Sequence, residues 1–416
     1  MTTFDIDWVR SQFPALAMKV NGYPAAFFDG PGGTQVPQRV IDAMGGYLAT
    51  SNANTHGAFA TSQRSDETIT AAHAAMADLL GCDPEEIVFG PNMTTLTFAL
   101  SRALGRDLEA GDEIVVTRLD HDANVSPWTA LEERGSLIRW VDVHPADCTL
   151  DMDDLRRKVT PRTRVVAVGY ASNAVGTIND IEEVVRLAHE AGAAAYIDAV
   201  HYAPHGPIDV RTLDCDFLVC SPYKFFGPHA GVLYGKRERL LRLSPYKVRP
   251  AADSLPGRWE TGTQNHEGLA GVAAAVEYLA ELGRRHTPEA HGQRAALLAA
   301  YDALRAYERS LLAPLVPALL EIPGLTFYGI AEPERFHQRV PTVAVRIAGR
   351  SPRELAAYLG ERGIFTWDGN YYALNLSERL GVEPDGGMLR IGLVHYNTAD
   401  EVDRLLEALR ALAPCR

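Results

Sequence analysis

At 416 residues the chain is too long for one ordinary core and suits a large α/β domain joined to a smaller one. Its 46% hydrophobic and 22% charged residues are an ordinary globular balance that excludes wholesale disorder, and a formal charge of −13 with no clustered Lys/Arg tract argues against a nucleic-acid partner. The start, MTTFDIDWVRSQFPALAMKV, has no basic segment followed by an apolar run, and no stretch reaches the roughly 18 apolar residues of a membrane span, so a soluble, cytoplasmic protein is expected. Five cysteines, Cys82, Cys148, Cys215, Cys220 and Cys415, are odd in number and lack CxxC spacing, so neither a disulfide framework nor a metal site is expected. Cys215 and Cys220, in CDFLVC, read as small buried hydrophobes.

From about residue 86 to 235, short apolar runs alternate with amphipathic segments of helical length, the pattern of a mostly parallel sheet wrapped by helices. In chain order the strands are EIVFG (86–90), DEIVVTRL (112–119), SLIRWVDV (136–143), RVVAVGYA (164–171), AAYIDA (194–199), DFLVCS (216–221) and GVLYGK (231–236), most of them rich in Val, Ile and Tyr. They make one large seven-stranded sheet. Residues 151–159 and 181–191 carry apolar positions three and four apart with acids early, and read as crossover helices. The segment 245–267, PYKVRPAADSLPGRWETGTQNHE, has no period, and long loops of this kind are often functional or interfacial. After residue 268 come long Ala/Leu/Glu/Arg-rich segments, strand candidates at 325–328, 341–347 and 388–394, and a closing helix from about 398 to 412, a smaller α+β unit.

In an open parallel sheet, ligands bind beyond the carboxyl ends of the strands. There the sequence places His121 after DEIVVTRLD, Asn173 after RVVAVGYAS, Asp198 near the end of AAYIDA and Lys224 after DFLVCSPY. A lysine at the rim of an apolar sheet is costly unless paired or neutralised. Desolvated, with a lowered pKa, it can condense with an aldehyde as a Schiff base. The turn GPNMTTL (90–96), between a strand and the following helix, leaves helix N-terminal N–H groups free for a phosphate.

Taken together these motifs resemble the class V aminotransferases of pyridoxal 5'-phosphate (PLP) fold type I, from FFDGPGGTQVP near the start to LRIGLVHYNTADEVDRLL near the end, and above all their cysteine desulfurase-like members. The resemblance implies a PLP-dependent transferase fold: an α/β large domain over 26–265 around a seven-stranded mostly parallel sheet, a smaller α+β domain over 266–416, and an N-terminal segment, 1–25, packing with the small domain. It also implies roles. In Ser221-Pro222-Tyr223-Lys224, against the family's Ser-x-His-Lys, Lys224 is the Schiff-base lysine and Ser221 joins the cofactor contacts. Tyr223 replaces a histidine that helps hold the phosphate, bringing a hydroxyl donor but no charge. Asp198, in YIDAVH, pairs with the pyridine nitrogen, and an anion there keeps the ring protonated and electron-withdrawing. His121, in LDHDANVSPW against EHHAN, stacks on the ring; Asn173, in SNAVG, lies near the ring oxygen; His201 stands where relatives commonly have glutamine and can bond the same oxygen, though it titrates near neutral pH. Met93 and Thr94 match a Gly-Thr-Thr phosphate turn. Thr263, in Glu260-Thr261-Gly262-Thr263, reaches the phosphate of a neighbouring subunit, which implies a homodimer. Arg390, in MLRIGLVHYNT, clamps the substrate α-carboxylate with its fork of donors. Gly32, in DGPGG (29–33), lines the substrate pocket; that segment lacks the Gly-Lys-Ser/Thr ending of a phosphate loop.

A cysteine desulfurase needs a nucleophilic thiol on a loop of the smaller domain. The matching stretch, GIFTWDGNYYALNLSERLG (363–381), has no Cys, and Cys415 sits at the extreme C-terminus. The expectation is a PLP-dependent enzyme acting on an amino acid, a C–S (β-elimination) lyase or an aminotransferase. Desulfurase or selenocysteine lyase-type activity without a protein persulfide, epimerisation, decarboxylating deamination, and PLP binding without turnover are the alternatives. Tyr371 and Tyr372 take the place of the thiol region, as pocket lining, as a phenol for proton transfer, or as simple packing. No GxGxxG turn opens the first βαβ unit, which argues against a nucleotide-binding dehydrogenase.

Overall fold

The apolar runs of the first half become strands covered on both faces, which is why they read as continuous rather than alternating. In the computed structural model, which describes residues 4–414, they are β1 (Ile87–Gly90), β2 (Glu113–Thr117), β3 (Leu137–Val141), β4 (Thr163–Gly169), β5 (Ala194–Asp198), β6 (Phe217–Cys220) and β7 (Gly231–Gly235). β2, β5, β6 and β7 are buried along their whole length. The spatial order is β1-β7-β6-β5-β4-β2-β3. β7 runs antiparallel to both neighbours, and all other pairs are parallel. The expected seven-stranded, mostly parallel sheet is the one observed, with shorter strands.

Local chemistry ends them early. Thr117 donates its hydroxyl to Asp120 and accepts from the Leu119 amide, which turns the chain two residues before the expected end. Val143 and His144 leave the sheet to pair with Thr149 and Leu150 in a separate ribbon. The crossover helices start at side-chain caps: Asn92 accepts from Thr95 N at the head of α1 (Met93–Leu104), Asp151 from Asp154 N before α2 (Met152–Lys158), and Asp180 from Glu183 N before α3 (Ile181–Glu190).

Two long helices follow, α4 (His266–His286) and α5 (Gln293–Leu320). A second sheet has the order β8 (Leu325–Tyr328), β9 (Thr342–Ile347), β11 (Met388–Gly392), β10 (Trp367–Gly369), all antiparallel, and α6 (Ala399–Arg410) closes the chain. β10 is three residues long and has no alternation from which a strand could be read.

Along α5 the packing passes from one hydrophobic core to another. α4 and the first half of α5, through Leu304, belong to the core around the large sheet; Leu311, Leu315 and Leu319 belong to the core of the second sheet. A helix of 28 residues is about 40 Å long and reaches both. The N-terminal segment likewise touches both: Phe4 stacks on Tyr307 at 4.2 Å and Arg10 pairs with Glu401, while Trp8 stacks on Tyr278 of α4 at 5.9 Å. Among the described residues no helix is long and apolar enough to cross a membrane, and no cluster of His, Cys, Asp and Glu is arranged to hold a metal ion. Cys415 lies outside the described residues.

Candidate active site

The carboxyl ends of β2, β4, β5 and β6 open into one cavity of about 570 Å³, closed from the other side by residues of the second sheet. His121, Asn173, Asp198 and Lys224, each placed after a strand by the sequence, all line it, together with Met93, Thr94, His201, Tyr223, Gly32, Tyr371 and Arg390.

Lys224 is lifted from the sheet by the short turn Pro222–Lys224 and is only 9% exposed; its Nζ donates to Pro31 O. Burial, and then the Arg390 charge, lower its pKa to about 7 against the pull of Asp198 and Asp29. An amine in that state is partly unprotonated, and so nucleophilic, at neutral pH. Asp198 accepts from Val200 N at 2.9 Å, and burial raises its carboxyl to about 6.

Asp120, which the sequence reading passed over, lines the same cavity. Its carboxyl takes Gly169 N at 2.6 Å and the Thr117 hydroxyl at 2.9 Å, and burial followed by the Asp198 charge raises it to about 8. A Cβ on Gly169 would lie 2.3 Å from Asp120 Oδ1, so glycine is required there. With Asp120 protonated near neutrality, Asp198 is the carboxylate of the two that carries charge there. Asp29 was also missed as an individual residue; burial raises it to about 6, and Oδ1 has no partner. Asp198 gives a test on cofactor-free protein. Its folded pKa lies above the unfolded 3.8, so it favours folding below about pH 4 and opposes it as pH rises through about 6. Asp198→Asn is therefore expected to gain stability relative to wild type between those pH values, by roughly 2–3 kcal/mol. Urea unfolding of the two apo-proteins at pH 4.5 and 7 checks it, and an unchanged difference would refute it.

His121 accepts from Ala123 N through Nδ1 at 3.0 Å, which puts the proton on Nε2. Burial, Lys224 and Arg390 push it down to about 4, so the ring is neutral. Tyr372 stacks on it at 5.4 Å. Asn173 donates from Nδ2 to Tyr371 O at 2.9 Å, and its carbonyl accepts from Arg390 Nη1 at 2.9 Å. The Arg390 guanidinium lies over the Tyr371 ring at 4.3 Å. Tyr371 and Tyr372 both adopt left-handed backbone, at φ 57° and 60°, costing on the order of 1 kcal/mol or more each. Asn173 and the Asp122 amide hold them there through their carbonyls. Tyr371 lines the cavity, its hydroxyl donates to Met388 O and burial pushes its phenol far up. Tyr372 is 72% exposed.

Tyr223 stacks on the exposed His229 at 4.9 Å. A Cβ at Gly32 would lie 2.4 Å from Trp367 Nε1, so a larger residue there would have to displace the indole. Ser221 is fully buried just before Lys224. Thr263 is exposed and does not line the cavity of its own chain. Its segment is anchored by Glu260, which accepts from Phe89 N at 2.7 Å and pairs with His73 at 2.9 Å.

Asn173 Oδ1, His201 Nδ1 and Arg390 Nε, all on residues that line the cavity, are buried without any hydrogen-bond partner. Each such atom costs about 1–3 kcal/mol, and their grouping at one cavity marks a ligand's place. Gly231, where a Cβ would meet Asn92 at 2.3 Å, lets β7 run against the head of α1, where the N–H groups of Met93 and Thr94 precede the one capped by Asn92. An amine for an aldehyde, a carboxylate for a ring nitrogen and a helix N-terminus for a phosphate together fit pyridoxal phosphate.

These features on a mostly parallel α/β sheet define a PLP-dependent enzyme of fold type I. The sequence profile of the aminotransferase class-V family matches residues 26–405, and the chain belongs to that family. A cysteine desulfurase from Pectobacterium atrosepticum is 32% identical over 99% of this chain and 98% of its own length. One from Synechococcus elongatus is 33% identical over 98% of this chain, which spans 64% of that relative. Among solved structures, the cysteine desulfurase CsdA from Escherichia coli, an S-sulfonic acid form, superposes with a TM-score of 0.83 at 30% identity, covering 99% of each chain. The apo cysteine desulfurase from Thermococcus onnurineus gives 0.83 at 26% identity, over 95% of this chain and 98% of that one.

Proposed function

We propose that the protein is a C–S lyase that converts a cysteine or cysteine S-conjugate and water into pyruvate, ammonia and the free thiol or sulfide. The observation that carries this reading is the missing thiol. Residues 363–381 contain no cysteine, none of the four described thiols lines the cavity, and burial pushes every one of them up, Cys148 to about 12. Sulfur leaving the substrate has no thiol acceptor among the described residues of the cavity and would depart with a proton.

When bound, the cofactor supplies an electron sink next to the substrate Cα. Lys224 carries it and then, as a free amine, moves the Cα proton. Asp198 would pair with the ring nitrogen and neutral His121 would cover the ring, its Nε2 proton available to the departing sulfur. Asn173 and His201 would bond the ring oxygen. The Met93 and Thr94 amides, Ser221 and the Tyr223 hydroxyl would hold the phosphate. Arg390 takes the α-carboxylate above Gly32 and Tyr371. Thr263, exposed on its own chain, completes the phosphate site of a second subunit in a homodimer. The free thiols accord with a cytoplasmic location.

Holoenzyme mixed with an S-alkyl cysteine is expected to release pyruvate and thiol in equal amounts. Bleaching of the visible cofactor band that a keto acid restores, without pyruvate, would replace the lyase by a transaminase. No spectral response to any amino acid would leave a non-catalytic PLP protein.

A further inference from the structure

Trp367 and Tyr372 are large aromatic side chains, 50% and 72% exposed, that nevertheless line the active-site cavity. Rings open to solvent on one side and to the cavity on the other mark its mouth, and neither has a role in the reaction described above. Their places follow from the backbone. Trp367 on β10 stands directly opposite Arg390 on β11 in the antiparallel register. Residues paired in this way lie on the same face of a sheet with Cβ atoms roughly 5 Å apart, so the indole stands beside the guanidinium assigned to the α-carboxylate. Tyr372 stacks on His121 at 5.4 Å with the planes 23° apart, so the phenol flanks the imidazole assigned to cover the cofactor.

The exposed tyrosine is fixed by its backbone. Tyr372 N donates to Asn370 Oδ1 at 3.0 Å, Tyr372 O accepts from the Asp122 amide at 2.7 Å, and Asn370 Nδ2 donates to Glu383 Oε1 at 3.0 Å. A left-handed residue whose ring is mostly in water gains little from burial to offset its strain, and strained conformations of this kind cluster at ligand sites. A ring on a fixed backbone also loses less freedom when a ligand packs against it.

We propose that this mouth is a subsite for an aromatic S-substituent, so that the preferred substrate is a cysteine S-conjugate carrying a flat, uncharged ring. This rests on the C–S lyase reading. With the α-carboxylate on Arg390 and the Cα at the cofactor, the group on sulfur is the part of the substrate left to reach the opening beside Trp367 and Tyr372. Aromatic rings packed edge to face or offset gain more than the area they bury. Charge disfavours the other candidates. Among the described residues the lining holds no Lys or Arg besides Lys224 and Arg390, both already assigned, to receive an anionic substituent. Its outer acids are engaged, Asp368 with Arg353 at 3.3 Å and Glu383 with Asn370 and the Ser377 hydroxyl, which leaves neither to receive an ammonium.

The test is binding of S-benzyl-, S-methyl-, S-carboxymethyl- and S-aminoethyl-L-cysteine to holoenzyme, read from the cofactor's visible band, with pyruvate release followed in parallel. S-benzylcysteine is expected to bind about tenfold more tightly than S-methylcysteine, and the two charged derivatives no better than the methyl one. Trp367→Ala and Tyr372→Ala are each expected to reduce the benzyl-to-methyl ratio about 3- to 10-fold. Tyr372→Phe keeps the ring and is expected to leave that ratio within about twofold of wild type. The ratio cancels any general effect of a substitution on cofactor or fold, and wild type alone tests the preference should a variant not fold. A wild-type ratio near one, a ratio unmoved in both alanine variants, or S-aminoethylcysteine binding as tightly as S-benzylcysteine overturns the proposal. Benzyl preference in the visible band without pyruvate keeps the subsite and removes the lyase, whereas pyruvate from every derivative at equal kcat/KM keeps the lyase and removes the subsite.

Discussion

Lys224→Ala is expected to abolish the covalent cofactor adduct and to lower turnover by about 10²- to 10⁴-fold, the usual contribution of a positioned base. Borohydride reduction followed by peptide mass spectrometry is expected to find the adduct on Lys224 in wild type and nowhere in the variant. The fold is expected to survive, and the sign follows from linkage. The amine's pKa falls from 10.5 in the unfolded chain to about 7 in the native one, so its burial opposes folding fully below pH 7 and ceases to do so above about 10.5. Cofactor-free Lys224→Ala is therefore expected to be no less stable than wild type near neutrality, an advantage that fades as pH rises. An adduct on another lysine, or a variant that turns over at wild-type rate, would remove Lys224 from the centre of the chemistry.

Arg390→Lys is expected to cost about 30- to 150-fold in kcat/KM for amino acids, corresponding to the roughly 2–3 kcal/mol of a charge-assisted, two-point hydrogen bond. The guanidinium is fully charged although burial lowers its pKa to about 10. Its placement is set by contacts that lysine lacks: the flat face rests on Tyr371, one Nη1 proton is given to Asn173 O, and Nε is unspent. Lysine offers a single point charge and no fork. The decisive measurement pairs each amino acid with the amine lacking its α-carboxylate. If both lose activity equally, Arg390 supports the fold of the cavity instead of gripping a carboxylate.

How far the sequence could be read depends on the range over which each feature is encoded. The strands of the large sheet are legible because residues such as Ile197 and Val219 sit in runs that are apolar throughout, and the helix heads because Asn92, Asp151 and Asp180 cap within four residues. Asp198 and Lys224 stand out because each polar group interrupts or follows such a run. Trp367–Gly369 escaped notice because a three-residue edge strand carries no period. Asp120 has no local signature; its place in the site depends on a hydrogen bond to Gly169, 49 residues away.

The sequence by itself therefore determined the alternation of strand and helix, the positions of the polar side chains at strand ends, and the absence of a thiol from residues 363–381, since all of these are written in neighbouring residues. Tertiary structure alone decided the rest. Arg390 meets Asn173 across 217 residues and Glu308 meets His205 across 103. Lys224 and His121 acquire their altered proton affinities from burial and from charges brought up by other strands. Desolvation and Coulomb interaction depend on what packs around a group in space, and no local pattern of residues records that.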